Sequence, residues 1–188
     1  HELAIKSIKA GADAVKFQIY FAHELLSKSH PKYKHFKKQS FTESTWIELI
    51  NSLKHFNTNI YADIFGQDAF NLAQKCNLDG FKIHSSDLNN DIILNKIKNK
   101  EKKYFLSAGG STIREIHSSI KLFNKQNIKP ILMHGFQAYP TKINDNNLRR
   151  ISLFKSIFKN KCKYGFQDHT AGGSKMASII PKIAIAGD

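Results

Sequence analysis

A chain of 188 residues that is 41% hydrophobic has enough apolar material for one domain with a real core, which excludes a disordered segment and a disulfide scaffold. Its formal net charge of +14 raises nucleic-acid binding first, because phosphate attraction depends on clustered Lys and Arg. The 29 basic residues are mostly scattered lysines, as in 95–103, and no zinc-finger spacing, RNP-type sequence or helix-turn-helix accompanies them, so nucleic acid is not the expected partner. Cys76 and Cys162 lie in unrelated contexts without a CxxC or Cys/His cluster, which suits small buried hydrophobes in a reducing cytoplasm. No apolar run approaches the ~20 residues of a membrane span, so a soluble, cytoplasmic protein is expected.

The chain opens in a helical pattern, HELAIKSIKAGADA, followed by a strand over 14–20. Trp46, Leu49, Ile50, Leu53 and Phe56 then recur at helical spacing, behind Thr42 or Ser40 as cap. Strands are predicted at 59–65 and 80–85, and Asn89 and Asn90 open a helix carrying Ile93, Leu94 and Ile97. After a strand at 104–109, Thr112 and Glu115 form a capping box ahead of Ile113, Ile116, Ile120 and Phe123. A strand at 129–135, a helix through Leu148, Ile151, Phe154 and Phe158, and a strand at 163–169 come next. The last helix carries Met176, Ile179, Ile180 and Ile183, and Pro181 should kink it or end its first half.

Strict strand–helix alternation requires parallel strands with right-handed crossovers. A doubly wound sheet would show a glycine-rich phosphate turn after its first strand, and none is present; a (β/α) barrel instead gathers polar residues at the C-terminal strand tips. The tips read Lys16 and Gln18, Asp63, Lys82 and Ser85, Ser107, His134 with Gln137, and Gln167 with Asp168 and His169. A closed barrel has eight strands in ~250 residues, so six strands imply an α/β (β/α)8 TIM barrel truncated to about strands 2–7, with strands 1 and 8 missing at one open seam. Residues 1–188 would be a single incomplete barrel domain, starting inside a helix and ending at IAIAGD, a turn that usually precedes another strand.

Several tip residues suggest chemistry. His169 is either a ligand for a divalent metal or a core histidine. Asp168 either orients that imidazole or accepts amides from the 170–173 turn, and the second role is favoured. Lys16 and Gln18, two apart on one strand, share the barrel-mouth face, where a lysine has little structural purpose; a Schiff-base aldolase using Lys16 is one use. Tyr139, ahead of Pro140, reads as a loop anchor on general grounds. Lys82, Ser85 and Ser107 offer the cation and donors a phosphate needs.

The segments AGADAVKFQIY (10–20), FKIHSSDLNN (81–90), LSAGGST (106–112), LMHGFQAYPT (132–141) and QDHT (167–170) resemble, in order, the signature segments of the sialic acid synthase family. The resemblance covers nearly the whole chain. It implies a transferase that condenses phosphoenolpyruvate with an open-chain N-acetylated amino sugar to give a nine-carbon 2-keto acid and phosphate, assisted by a divalent metal, Mn or Mg. The intact protein could then be a homodimer. On this resemblance Lys16, Gln18 and His169 are catalytic, His169 being also the metal ligand, while Lys82, Ser85, Ser107, Gln137, Tyr139, Gln167 and Asp63 bind substrate.

The chain also departs from the pattern. Asp63 replaces a threonine, and Gln137 and Gln167 replace an Asn or Ser and a Ser. The glutamines can still donate hydrogen bonds, but an ionised Asp63 ~5 Å from a phosphate would cost roughly 3 kcal/mol per unit charge at an effective dielectric near 20. Either Asp63 pairs with Lys82 or the bound donor is placed differently; a catalytically altered sugar-phosphate or nucleic-acid binding barrel is the alternative from another class. A family glutamate on strand one and a second metal histidine on strand eight have no counterpart here, so the segment alone is expected to be a poor catalyst.

Overall fold

A computed structural model describes residues 1–187; Asp188, the end of the expected IAIAGD turn, lies outside the described residues. The chain comprises two compact units, His1–Asp87 with Glu101–Lys103, and Leu88–Lys100 with Tyr104 onward.

The first unit runs α1 (Glu2–Lys9), β1 (Ala14–Tyr20), α2 (Ala22–Leu25), α3 (Tyr33–Gln39), α4 (Glu43–Asn51), β2 (Asn59–Phe65), α5 (Gln67–Lys75) and β3 (Gly80–Ile83). Its strands pair in parallel, β1 with β2 and β2 with β3. Side chains alternate between the two faces of a strand. Val15, Ile19, Ile60, Ala62, Ile64, Phe81 and Ile83 are therefore buried together with Trp46, Ile50, Phe70 and Leu72 of the helices. Ring contacts join strand to helix, among them Phe17 to Trp46 at 6.0 Å and Phe70 to Phe81 at 5.6 Å between centroids. The same alternation puts Lys16, Gln18, Asp63 and Lys82 on the opposite face, where the register sets Gln18 beside Asp63 and Asp63 beside Lys82.

The β2–α5 turn shows why a glycine stands at 66. Its φ is +88°, a region costly for side-chain-bearing residues, and an added Cβ would meet the Glu24 carboxylate. That carboxylate accepts the N–H groups of Asp68 (2.9 Å) and Ala69 (3.2 Å), satisfying first-turn donors of α5, while Asp87 accepts the Gly66 N–H at 3.0 Å. β3 ends at Ile83, short of the expected residue 85, because Ser85–Asp87 turn into a 3₁₀ segment that delivers this Asp87 contact. The aromatic and basic stretch 30–38 is largely helix α3, which buries none of its residues.

The second unit contains α6 (Asp91–Leu94), β4 (Lys103–Ser107, from Tyr104), α7 (Ile113–Lys125), β5 (Ile131–His134), α8 (Arg149–Phe158), β6 (Lys163–Phe166) and α9 (Met176–Ala186). β4 pairs with β5 and β5 with β6, again in parallel. The capping box of α7 is complete, with Thr112 accepting the Glu115 N–H and the Glu115 carboxylate accepting the Thr112 N–H at 2.7 Å. The Thr112 hydrogen bonds hold the Glu115 carboxyl below its ordinary range. Ile116, Ile120 and Phe123 of α7 are buried, and Tyr104 meets Phe123 at 5.5 Å. Burial pushes the Tyr104 phenol up to about 12.

Two expectations need correction here. Of the two effects expected of Pro181, ending the helix does not occur: α9 continues to Ala186 although the proline has no N–H for the helical ladder. His134 is not an active-face tip: it is buried beside Phe154 and Phe166, and its Nε2 donates to the Asn146 carbonyl at 2.7 Å. Leu132 and His134 share one side of β5 by the period of two, and that side faces α8. Burial lowers its pKa, so this histidine is a neutral packing residue.

Candidate active site

In the first unit the sheet face opposite the helices carries a compact charged cluster. Lys82 Nζ donates to Asp63 Oδ2 at 2.6 Å, and Lys16 Nζ lies 3.6 Å from the same oxygen. Asp63 is 3% exposed and Lys82 11%, whereas Lys16 is 40% exposed. Of the two alternatives for Asp63, the structure contains the pair with Lys82. Burial lowers the Lys82 pKa, and the neighbouring Asp63 carboxylate opposes that shift. Asp63 Oδ1 is buried and has no hydrogen-bond partner among the described residues.

Gln18 is exposed on the same face, and Ser85 is half-buried just past the end of β3. Sequence reasoning missed His84. It lies two residues after Lys82, its ring is tilted over Phe65 at 4.5 Å, and its Nδ1 is 3.0 Å from Ser86 Oγ. The alternation that pairs Lys16 with Gln18 was the available signal, because it pairs Lys82 with His84 as well. Burial holds His84 below the usual histidine pKa.

The second unit carries a neutral cluster. Gln137 Nε2 donates to Ser107 Oγ at 3.1 Å, and Ser107 Oγ donates to Gln167 Oε1 at 3.2 Å. Ser107 is fully buried and its proton is committed to Gln167, so the donor expected from Ser107 passes to the Gln167 amide nitrogen. Room for these long side chains comes from two glycines. A Cβ on Gly109 would overlap the Gln137 side chain, and one on Gly135 would overlap the Gln167 side chain and approach its carbonyl oxygen to 2.7 Å.

His169 follows on the loop after β6. Its Nδ1 must donate to the Phe136 carbonyl (2.8 Å), since a carbonyl only accepts, and the neutral ring therefore carries its lone pair on Nε2. Asp168 does not orient that ring; its Oδ1 accepts the Thr170 N–H at 2.8 Å, the turn role favoured from sequence. Tyr139, 81% exposed, meets the His169 ring edge-on at 6.0 Å. A divalent metal would find one suitable donor here, His169 Nε2, and the described residues hold no group of three or more His, Cys, Asp or Glu able to complete its coordination.

The NeuB family model matches residues 4–181. An uncharacterised protein of Methanocaldococcus jannaschii is 33% identical over 98% of this chain and 53% of its own length. Pseudaminic acid synthase of Helicobacter pylori is 29% identical over 94% of this chain and 54% of its own. Among solved structures, an N-acetylneuraminic acid (sialic acid) synthetase from Leptospira borgpetersenii serovar Hardjo-bovis, in complex with citrate, superimposes with a TM-score of 0.84 at 27% identity, covering 98% of this chain and 64% of that one. The chain spans about half the length of the curated relatives it matches.

Proposed function

Because the chain belongs to the NeuB family, we propose that the intact protein is a cytoplasmic (β/α)8 barrel enzyme, of which this chain supplies about strands 2–7. It condenses phosphoenolpyruvate with an open-chain N-acetylated amino sugar, the enol carbon forming a carbon–carbon bond to the aldehyde while water adds at the carbon bearing the phosphate, which then leaves. The observation that carries the reading is the partly buried Lys82 ammonium at the end of β3, held by Asp63 and joined by Lys16, on the polar face of a sheet in a chain of this family.

Lys82 and Ser85 bind the phosphoryl group electrostatically and through hydrogen bonds, work that needs preorganised donors more than covalent chemistry. The amides of Gln137 and Gln167, ordered through Ser107, supply neutral donors for substrate binding in the second unit. Lys16, Gln18 and Tyr139 orient the reacting enolpyruvate and sugar. His169 presents Nε2 as one ligand for Mn or Mg, its ring fixed by the Phe136 carbonyl. When bound, that metal polarises the sugar aldehyde toward attack.

Phosphate release by the intact protein should require phosphoenolpyruvate, amino sugar and Mn together. His169→Ala and excess chelator should each lower kcat/KM about 100-fold or more, in line with a Lewis acid worth several kcal/mol. Full turnover in excess chelator would contradict the metal role.

A further inference from the structure

The Asp63 cluster has two properties that a site for a fully ionised phosphoryl group would not have. Two ammonium groups and one carboxylate leave a single net positive charge, and the carboxylate has already taken up the more buried cation, Lys82. Second, Asp63 Oδ1 is a buried acceptor with no partner among the described residues. An ionised carboxylate oxygen can only accept, so whatever completes this site must bring a hydrogen of its own. Oxygens of a dianionic phosphate also only accept, and they would face that carboxylate with repulsion.

A singly ionised phosphoryl group resolves both. It carries one negative charge, matching the net charge of the cluster, and one P–OH, matching the orphaned oxygen. Resting on the reading that the Lys82 subsite takes phosphate, we propose that Asp63 makes that subsite select the protonated, monoanionic phosphoryl group, whose P–OH donates to Asp63 Oδ1 while Lys82 and Lys16 face its anionic oxygens. Lys16, far more exposed than Lys82, is the side chain that moves to admit it. Discrimination of this kind works by penalising the wrong ligand as much as by rewarding the right one.

Other groups facing Asp63 are accounted for. Lys16 approaches from β1, Lys82 from β3 and His84 from the residue just past its end, with Asp87 beyond His84. Burial keeps His84 below its ordinary pKa, which favours the neutral ring as pH rises through the range of the test.

The test is calorimetric titration of the intact protein with inorganic phosphate and with sulfate between about pH 6.5 and 8.5, a range in which phosphate loses its second proton and sulfate has none to lose. Wild type should bind phosphate at least about tenfold more tightly than sulfate at the acid end, with the advantage shrinking as pH rises. Asp63→Asn and Asp63→Thr both restore a donor, so each should bind the two anions alike and lose the fall of phosphate affinity with pH. Near-ultraviolet circular dichroism checks that both variants are folded. Equal affinity for the two anions in wild type, or the same pH profile in wild type and Asp63→Asn, overturns the proposal. Phosphate selectivity in a protein that never condenses phosphoenolpyruvate would leave it standing and remove the condensation reading; turnover without selectivity would do the reverse.

Discussion

Lys82→Met in the intact protein should cost about 3–5 kcal/mol of stability, because it leaves the Asp63 carboxylate buried with only the 3.6 Å Lys16 contact for compensation. The cost comes less from the lost attraction than from stranding a charge that water cannot reach. Adding Asp63→Asn to the same chain should therefore recover most of the loss, since a neutral amide is far cheaper to bury than an unpaired carboxylate. Urea unfolding of the two single variants and the double variant measures this directly as a coupling energy. If the double variant is no more stable than Lys82→Met alone, Asp63 and Lys82 are not the coupled pair described here. Activity should behave differently from stability. The double variant should remain defective toward phosphoenolpyruvate, because neither asparagine nor methionine can neutralise a phosphoryl group.

Gly135→Ala should cost about 2–3 kcal/mol and disorganise the neutral cluster together, because the new Cβ would overlap Gln167 at both its side chain and its backbone carbonyl. A flexible side chain could turn away, but the carbonyl belongs to a segment fixed by the Gln167 N–H bond to the His134 carbonyl at 2.8 Å. Displacing Gln167 also removes the acceptor of the Ser107 proton. Gly109→Ala makes the informative contrast, since its three nearest contacts are all on the Gln137 side chain, from Cγ to Nε2, with no backbone atom among them, and a side chain can rotate. Thermal unfolding and the KM for phosphoenolpyruvate should both move more for Gly135→Ala than for Gly109→Ala; equal effects would mean that the glycines are not what makes room for the two glutamines.

Much of this arrangement was legible in the amino-acid order, for reasons tied to short-range chemistry. The strands at 14–20 and 59–65 have the bounds expected, because Val15, Phe17, Ile19 and Tyr20, and Ile60, Tyr61, Ile64 and Phe65, give each stretch a strong preference for the strand. The Thr112–Glu115 box and the Asn90 cap of α6 were equally readable, each requiring only residues three apart. Asp63 was recognisable as out of place beside a phosphate, leaving either a pair with Lys82 or a differently placed donor, and the structure contains the pair.

What escaped were properties set by neighbours distant in sequence. His134 read as a tip residue, but the face it takes depends on Phe154 and on a carbonyl twelve residues away. Ser107 read as a ligand donor, yet its hydroxyl is spent between two glutamines 30 and 60 residues further on. The strands ending at 83, 107 and 166 are shorter than expected because the residues that follow them turn into loops beyond the ladder. His84 was hidden because a histidine beside serines gives no sign of burial until Phe65 is placed against it.

The central claim is that this chain is part of a phosphoenolpyruvate-dependent sugar acid synthase, and one product measurement tests it most directly. The intact protein is incubated with phosphoenolpyruvate, Mn and a panel of open-chain N-acetylated amino sugars, and phosphate is quantified alongside products by mass spectrometry. The account predicts a 2-keto acid three carbons longer than one of the sugars, formed in equal amount with phosphate and strongly reduced by Lys82→Met. Phosphate released at the same rate without any sugar, or no chain-extended keto acid with any member of the panel, would contradict it.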